Sequence, residues 1–260
     1  MLTKKKIKKL IFGFCKKAGR NNRGKITVYH KGSGVKKKYR SIDFLRNDNF
    51  SYQVLKIEYD PNRNAKIMFC QNLINQNIFK YFIMTENVRE KDIITNFPEN
   101  STVKDCNFGD SILLKNLPLG TIVSNIENFP GSGAVFARSA GSMGTLVDLE
   151  KDFVHIKLIS GEIRKFHKNC RCVKGKVFFD HLEQKKYKNF FHKEYQKAGV
   201  NRLKGIRPTV RGEAMNPIDH PHGGATSKGR PSVTPWGIPT KGHKTRKNVL
   251  TNKYIVKKRK

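Results

Sequence analysis

GTLVDLEKDFVHIKLISGEIRKFHKNCRCVK, residues 144–174, carries the clearest structural signature in the chain. Apolar and polar side chains alternate over Gly144–Leu149, Val154–Leu158, Glu162–Phe166 and Arg171–Lys174, the period of strands with one face buried. Each run is short and the next follows closely. Strands of this length at this spacing suggest small antiparallel barrels, which remove sheet edges by closing on themselves.

The same pattern extends in both directions. Lys25–His30 alternates about Ile26 and Val28. Tyr39–Phe44, Ser51–Tyr59, Lys66–Phe69 and Ile78–Met84 follow, separated by turn formers such as Asp60-Pro61-Asn62. A second set opens after Leu117-Pro118-Leu119-Gly120 with Thr121–Ile126. The region from Lys25 to Lys176 therefore predicts an all-β body with room for two barrels, divided near Asn116-Leu117-Pro118. His181–Gln196 is rich in Lys and Glu, carries Tyr187, Phe190, Phe191 and Tyr195, and predicts a short helix. No internal repeat is present.

Charge separates this body from its extensions. The 260 residues carry a formal net charge of +33, far above that of an ordinary enzyme. Residues 1–40 hold 15 Lys/Arg and no acid, residues 41–198 hold 23 basic and 18 acidic residues, and residues 199–260 hold 15 basic residues against Glu213 and Asp219. A nearly balanced centre with cationic arms fits nucleic acid, because each cation meeting a phosphate releases condensed counterions. Membrane-seeking basic segments are amphipathic, and Pro/Gly-rich arms are not. The longest clean apolar run, Tyr81–Met84, is too short to span a bilayer. Five cysteines, Cys15, Cys70, Cys106, Cys170 and Cys172, are an odd number and fit free thiols in a reducing compartment. Lys, Asn, Ile and Phe number 38, 22, 21 and 17 against 8 Ala, which implies an A/T-rich gene from an organelle or an A/T-rich bacterium.

Residues 207–247, RPTVRGEAMNPIDHPHGGATSKGRPSVTPWGIPTKGHKTRK, have no apolar periodicity. Pro217, Pro221, Pro231, Pro235 and Pro239 interrupt any regular element, yet Met215, Trp236 and three histidines set the stretch apart from filler. Such a segment, cationic and specific, orders against a polyanionic partner. Within it, Asp219, His220 and His222 invite a general-base reading, but no nucleophile or oxyanion hole accompanies them. Their alternative role is to hydrogen-bond RNA or local backbone and fix the loop.

Three further clusters have plain alternatives. His167, Cys170 and Cys172 are too few for a structural zinc site without a second pair, and their alternation with Arg171 and Val173 fits an ordinary strand. Gly131-Ser132-Gly133 with ARSAGS (137–142) lacks the Gly-Lys-Ser/Thr of a nucleotide loop, but its small residues allow a loop to lie on a sugar–phosphate backbone beside Arg138. GRNNRGKITVYHKGSG (19–34) combines Arg20, Arg23, Lys25, His30 and Lys31 with glycines and an aromatic, a mixture suited to phosphate contact and stacking.

These motifs, with YRSIDFLRN (39–47), IEYDPNR (57–63), LPLGTIVSNIE (117–127), SGEIRKF (160–166), SVTPWGIPTKGHKTRKN (232–248) and the ending KYIVKKRK, resemble the large ribosomal subunit protein two family in its bacterial and organellar form. The resemblance spans almost the whole chain; residues 85–110 and 176–198 match only loosely. It implies a basic arm over 1–35, an OB-fold barrel over 36–116, an SH3-like barrel over 117–198, and an extended tail over 199–260 that binds large-subunit rRNA; with too little apolar surface to offset ordering entropy, residues 199–260 are expected to be disordered without RNA. It also implies a structural, non-enzymatic role with no cofactor, metal, membrane or small-molecule substrate. The expected partners are rRNA, neighbouring ribosomal proteins and, through a bridge, the small subunit. By residue-level match, Asp219, His220 and His222 lie in the loop that approaches the peptidyl-transferase centre, where RNA performs the chemistry. The expected rRNA contacts are Arg20, Arg23, Lys25, Lys31, Arg40, Arg138, Arg202, Arg207, Arg211, Arg230, Trp236, Lys241, Lys244, Arg246 and Lys247.

Two departures from the family stand out. Only Met1–Ala18 precedes the GRNN motif, and Ala225-Thr226-Ser227 replaces the family's usual residues after Gly224. The base bias and bacterial-type sequence lead to the expectation of a mitochondrial ribosome with an organelle-encoded protein, a plastid or bacterial cytoplasm being the alternatives. A general RNA chaperone with basic arms is the alternative function.

Overall fold

The computed structural model describes residues 9–13, 15–98, 106–180, 199–224 and 231–259. The helix expected over 181–196 lies outside them. The described residues fall into two compact units, one comprising 9–13, 37–98, 106–180 and 251–259, the other 15–36, 199–224 and 231–250.

The first unit is almost entirely β, and it carries both expected barrels. After the short pair β1 (Ile11–Gly13) and β2 (Lys38–Arg40), the OB-type sheet is built from β3 (Ser51–Glu58), β4 (Ile67–Asn72), β5 (Phe79–Ile83) and β6 (Ile93–Thr95), in the order β5-β4-β3-β6. Ile42 adds a parallel bridge to Tyr81, and the Asp43 N–H donates to the Tyr81 carbonyl at 2.9 Å. β4 explains why this sheet needs cover on both faces. Its side chains alternate, so Ile67 and Phe69 pack with Ile42, Tyr81, Ile83 and Val177. Met68 and Cys70 face the other way, onto Tyr52, Val54, Phe82 and Ile94. The β3–β4 turn is set by Asp60, fully buried, whose carboxylate accepts from the Asn62 N–H at 2.9 Å and Arg63 Nε at 2.7 Å.

The SH3-like sheet contains β7 (Ser111–Leu113), β8 (Ile122–Ser124), β11 (Gly144–Leu149), β12 (Phe153–Leu158), β13 (Ile163–His167), β14 (Arg171–Lys174) and β15 (Ile255–Lys257), in the order β15-β13-β12-β11-β8-β14-β7. A separate ribbon joins β9 (Ile126–Glu127) to β10 (Ala134–Phe136). Val123, Ile126, Leu146, Val154, Ile156, Phe166, Cys170 and Cys172 fill the core. Phe136 meets Phe166 edge-on with ring centroids 5.1 Å apart. Edge-to-face contacts of this kind add stability beyond area burial.

Four placements differ from the sequence expectations. β7 pairs with β14, Leu113 opposite Arg171, so the second sheet takes a strand from before residue 117. Lys25–His30 is no strand: Asn21 Oδ1 accepts from the N–H groups of Arg23 at 2.9 Å and Lys25 at 3.0 Å, an Asx-type turn with a single bridge from Arg20 to Ile26. The end of the expected tail is a strand of the body, since β15 pairs with β13 through Ile163–Lys257 and Arg164–Ile255.

The fourth difference is that the two basic arms are not separate. Within the second unit, residues 30–35 run antiparallel to 203–207. Gly32 N–H donates to the Gly205 carbonyl at 2.7 Å, Val35 N–H to Leu203 at 3.0 Å and Arg207 N–H to His30 at 2.9 Å. Gly34 sits at φ +61° with its virtual Cβ 2.7 Å from the Leu203 carbonyl oxygen, a backbone approach that only glycine permits.

Candidate nucleic-acid interface

Among the described residues, the second unit has almost no buried apolar side chains, and turns and hydrogen bonds set its shape. In the 212–224 loop, the Asp219 N–H donates to the Asn216 carbonyl at 3.0 Å, and the Gly223 N–H to the His220 carbonyl at 2.8 Å. His220 is buried. Its Nδ1 accepts the His222 N–H at 3.0 Å, which places the neutral ring's proton on Nε2. The two imidazole centroids are 4.6 Å apart. His222 Nε2 lies 2.9 Å from the Pro231 carbonyl and 3.2 Å from the Val233 N–H; it can serve only one of them at a time, as donor to the first or acceptor from the second. Among the described residues, the exposed Asp219 carboxylate has no partner. The trio therefore divides: His220 and His222 hold the loop together, and Asp219 faces outward.

Beyond the loop, residues 232–240 form a small hairpin. Thr234 N–H donates to Ile238 at 2.8 Å, Thr240 N–H to Ser232 at 2.9 Å and Gly237 N–H to Thr234 at 2.9 Å. Trp236 rides on its tip, 74% exposed. An indole held on a rigid turn in water is a ready surface for a base to stack on. Arg23, Lys25, Lys31, Arg207, Arg211, Lys241, Lys244 and Lys247 are all exposed, and none makes an ion pair or side-chain hydrogen bond with a described residue. Arg202 is exposed on the short helix α1 (Gly199–Lys204). Arg20 donates to the Ala18 carbonyl at 2.8 Å and Arg246 to that of Asn248 at 3.2 Å. Arg230 and the Ala225-Thr226-Ser227 departure lie outside the described residues.

The first unit offers a groove of about 450 Å³, lined by Tyr39, Phe44, Asn62, Arg63, Asn64, Arg138, Ser139 and Phe179. The Arg138 guanidinium lies 4.7 Å from the Phe44 ring centroid and that of Arg63 at 5.9 Å. Arg63 is also steered by Asp60. Two guanidinium planes around one aromatic, flanked by two amides, form a surface for stacking and phosphate contact. Arg138, expected from sequence as an rRNA contact, lines this groove; Arg63, Asn62 and Asn64 were not singled out. Their signal was present in IEYDPNR, but a turn sequence shows no direction for its side chains. Arg40 is placed differently from expectation: its side chain is 18% exposed, with Nη1 3.9 Å from buried Asp60.

Among the described residues, His167, Cys170 and Cys172 do not bring three ligand atoms within 4.8 Å of one another. Burial, then the Glu127 charge, pushes the Cys170 thiol up to about 12. Burial raises Cys172 as well. Zinc needs thiolates, and these thiols are core side chains. Among the described residues, no helix is long and apolar enough to cross a membrane.

Comparison with known proteins completes the picture. The family model for the RNA-binding N-terminal domain of ribosomal proteins L2 matches residues 7–95, and that for the C-terminal domain of ribosomal proteins L2 matches residues 107–237. The large ribosomal subunit protein uL2 of Alcanivorax borkumensis is 44% identical over 250 residues, covering 94% of this chain and 85% of that protein. That relative is bacterial, which overturns the expectation of a mitochondrial location. The excess of Lys, Asn, Ile and Phe reports the base composition of a genome, and a compartment cannot be read from it.

Proposed function

The chain belongs to the ribosomal protein L2 family, and from that premise we propose that it is a structural constituent of the large ribosomal subunit that binds large-subunit rRNA. Its barrels hold folded RNA by shape and backbone at the Phe44 groove. Its second unit places cations and the Trp236 indole where RNA helices crowd together. The 212–224 loop supports the peptidyl-transferase region architecturally, and the assembled protein contributes to a contact with the small subunit. The observation that carries this reading is the set of ordered cations in the second unit that no described carboxylate neutralises. Exposed cations without carboxylate partners are available to neutralise phosphates.

Affinity for large-subunit rRNA should fall linearly with the logarithm of salt concentration. The double replacement Lys244→Ala/Lys247→Ala should flatten that slope by about 2, roughly one per lost phosphate contact. Trp236→Ala should cost about 1–3 kcal/mol of binding. Filter binding across a salt series reads both. An unchanged slope, or equal affinity for unrelated RNAs of the same length, would favour a general RNA chaperone.

His220→Ala removes the acceptor for the His222 N–H inside the loop. The melting temperature of the barrels should be unaltered, whereas incorporation into large subunits on sucrose gradients should drop. Wild-type subunit yield and peptide-bond formation in this variant would remove the loop from the proposal.

A further inference from the structure

The hairpin joining β11 to β12 carries the opposite charge to the rest of the molecule. Asp148, Glu150 and Asp152 fall within five residues of a chain whose 20 acids are set against 53 Lys and Arg. The strand register skips between Leu146 and Asp148, leaving Val147 as the bulged residue and Asp148 directly opposite His155. A bulge re-aims side chains next to it, and here three potential ligands converge. His155 Nδ1 lies 3.5 Å from Asp148 Oδ2, and Nε2 lies 3.1 Å from Glu150 Oε1. One ligand atom from each residue lies within 4.8 Å of the other two.

His155 is the telling member. It is only 9% exposed, and its Nε2 is buried without a hydrogen-bond partner, because the nearby Glu150 oxygen lies off the N–H direction. A buried ring nitrogen left unsatisfied costs about 1–3 kcal/mol, and a ligand that accepts its lone pair removes that penalty. We propose that His155, Asp148 and Glu150 form a binding site for a divalent first-row cation of the Zn²⁺ type. One imidazole nitrogen with two carboxylate oxygens is a three-ligand set that leaves a position for water or a phosphate oxygen. Asp148 and Glu150 have side chains 60% and 41% exposed; Asp148 Oδ1 accepts the Leu149 N–H at 2.8 Å, which leaves Oδ2 to face a shared ion.

Lys165 is the built-in competitor. It stands opposite His155 on β13, and its Nζ contacts both Glu150 oxygens, at 3.2 and 3.0 Å. Cation binding displaces this ammonium from Glu150. Asp152 takes no part, since it pairs with Lys168 at 3.0 Å.

The test is calorimetric titration of the RNA-free full-length protein with Zn²⁺, with Co²⁺ absorption as a geometric probe. One ion per chain is expected. Affinity should fall about 10-fold or more in Asp148→Asn and in Glu150→Gln, both exposed positions whose replacement leaves folding intact, and should rise in Lys165→Met. Zn²⁺ should also raise the melting temperature of the wild type and not that of the carboxylate variants. Absence of binding with excess Zn²⁺, affinity unaltered in both carboxylate variants, or a Co²⁺ band that vanishes with Cys15→Ser instead would overturn the proposal.

Discussion

Replacing Arg46 with Ala is expected to cost the first unit about 3–5 kcal/mol, the scale of removing one partner from a buried charged network. Arg46 is 5% exposed. Its Nε donates to Asn96 Oδ1 at 2.8 Å, its Nη1 to the Gly109 carbonyl at 2.9 Å, and its guanidinium lies 4.5 Å from the Phe82 ring centroid. One side chain thus ties the OB-type core to Asn96 and Gly109, between the last strand of the first sheet and β7 of the second. Burial lowers its pKa, while Cys70 and the carboxylates of Asp110, Asp43 and Asp48 oppose that shift. Asp110 shows the reverse: burial raises it, and the N–H groups of Thr95 and Asn107 and the Arg46 charge pull it back. Without the guanidinium, the buried Asp110 carboxylate loses a compensating charge. Its folded pKa then rises further above the unfolded value, so the variant's deficit should be greatest near neutral pH and shrink as pH falls and Asp110 takes up a proton. Thermal melts should show the midpoint lowered by on the order of 10 °C. Arg46→Lys should recover only part, because an ammonium cannot reproduce the fork. A melt within a degree or so of wild type would show that the bonds to Asn96 and Gly109 are dispensable.

Gly223→Ala is expected to abolish productive engagement of the 212–224 loop while leaving the barrels' melt unchanged. A Cβ at position 223 would lie 2.3 Å from the Asn216 carbonyl oxygen, 2.5 Å from its carbon and 2.7 Å from the Met215 oxygen. All three are backbone atoms, so no rotamer change relieves the clash. The turn must open, and with it go the Gly223 bond to His220 and the Gly224 bond to Met215. Affinity for rRNA, or incorporation into subunits, should fall at least as far as in His220→Ala. Gly199→Ala, where nothing lies within 4 Å, is the control and should be silent. Equal behaviour of the two alanine variants would mean that the loop's shape is irrelevant to its partner.

The parts of the fold that were legible from sequence are those whose strands carry their own pattern. Gly144–Leu149 and Arg171–Lys174 were placed to the residue and β12 and β13 nearly so; β13 shows the clean alternation of one buried face, whereas β12 and β14 carry consecutive buried residues. β7 and β15 were not legible. Ser111–Leu113 is buried throughout, so it shows no alternation, and Ile255–Lys257 sits in a run of lysines that reads as solvated charge. Both are three-residue segments that become strands only because β14 and β13 present free edges. Pairing of residues 30–35 with 203–207 was hidden for a related reason: its partners lie far apart in sequence and meet through glycines. In the second unit, the described cations named from sequence, Arg20 excepted, and Trp236 are exposed. Arg40 and Arg63 both lie beside the buried Asp60, a placement that no local pattern marks.

The pairing of β15 with β13 changes what kind of object the cationic lobe is. A basic extension with a free end can be threaded into a cavity that RNA has already formed. Residues 199–250 are instead bounded by the body at both ends, since the chain returns from them to pair with Ile163 and Arg164. While β15 stays paired, such a segment has no free end to thread and can enter a preformed cavity only loop-first. The fixed ends also remove part of the chain entropy that a free tail would lose on ordering.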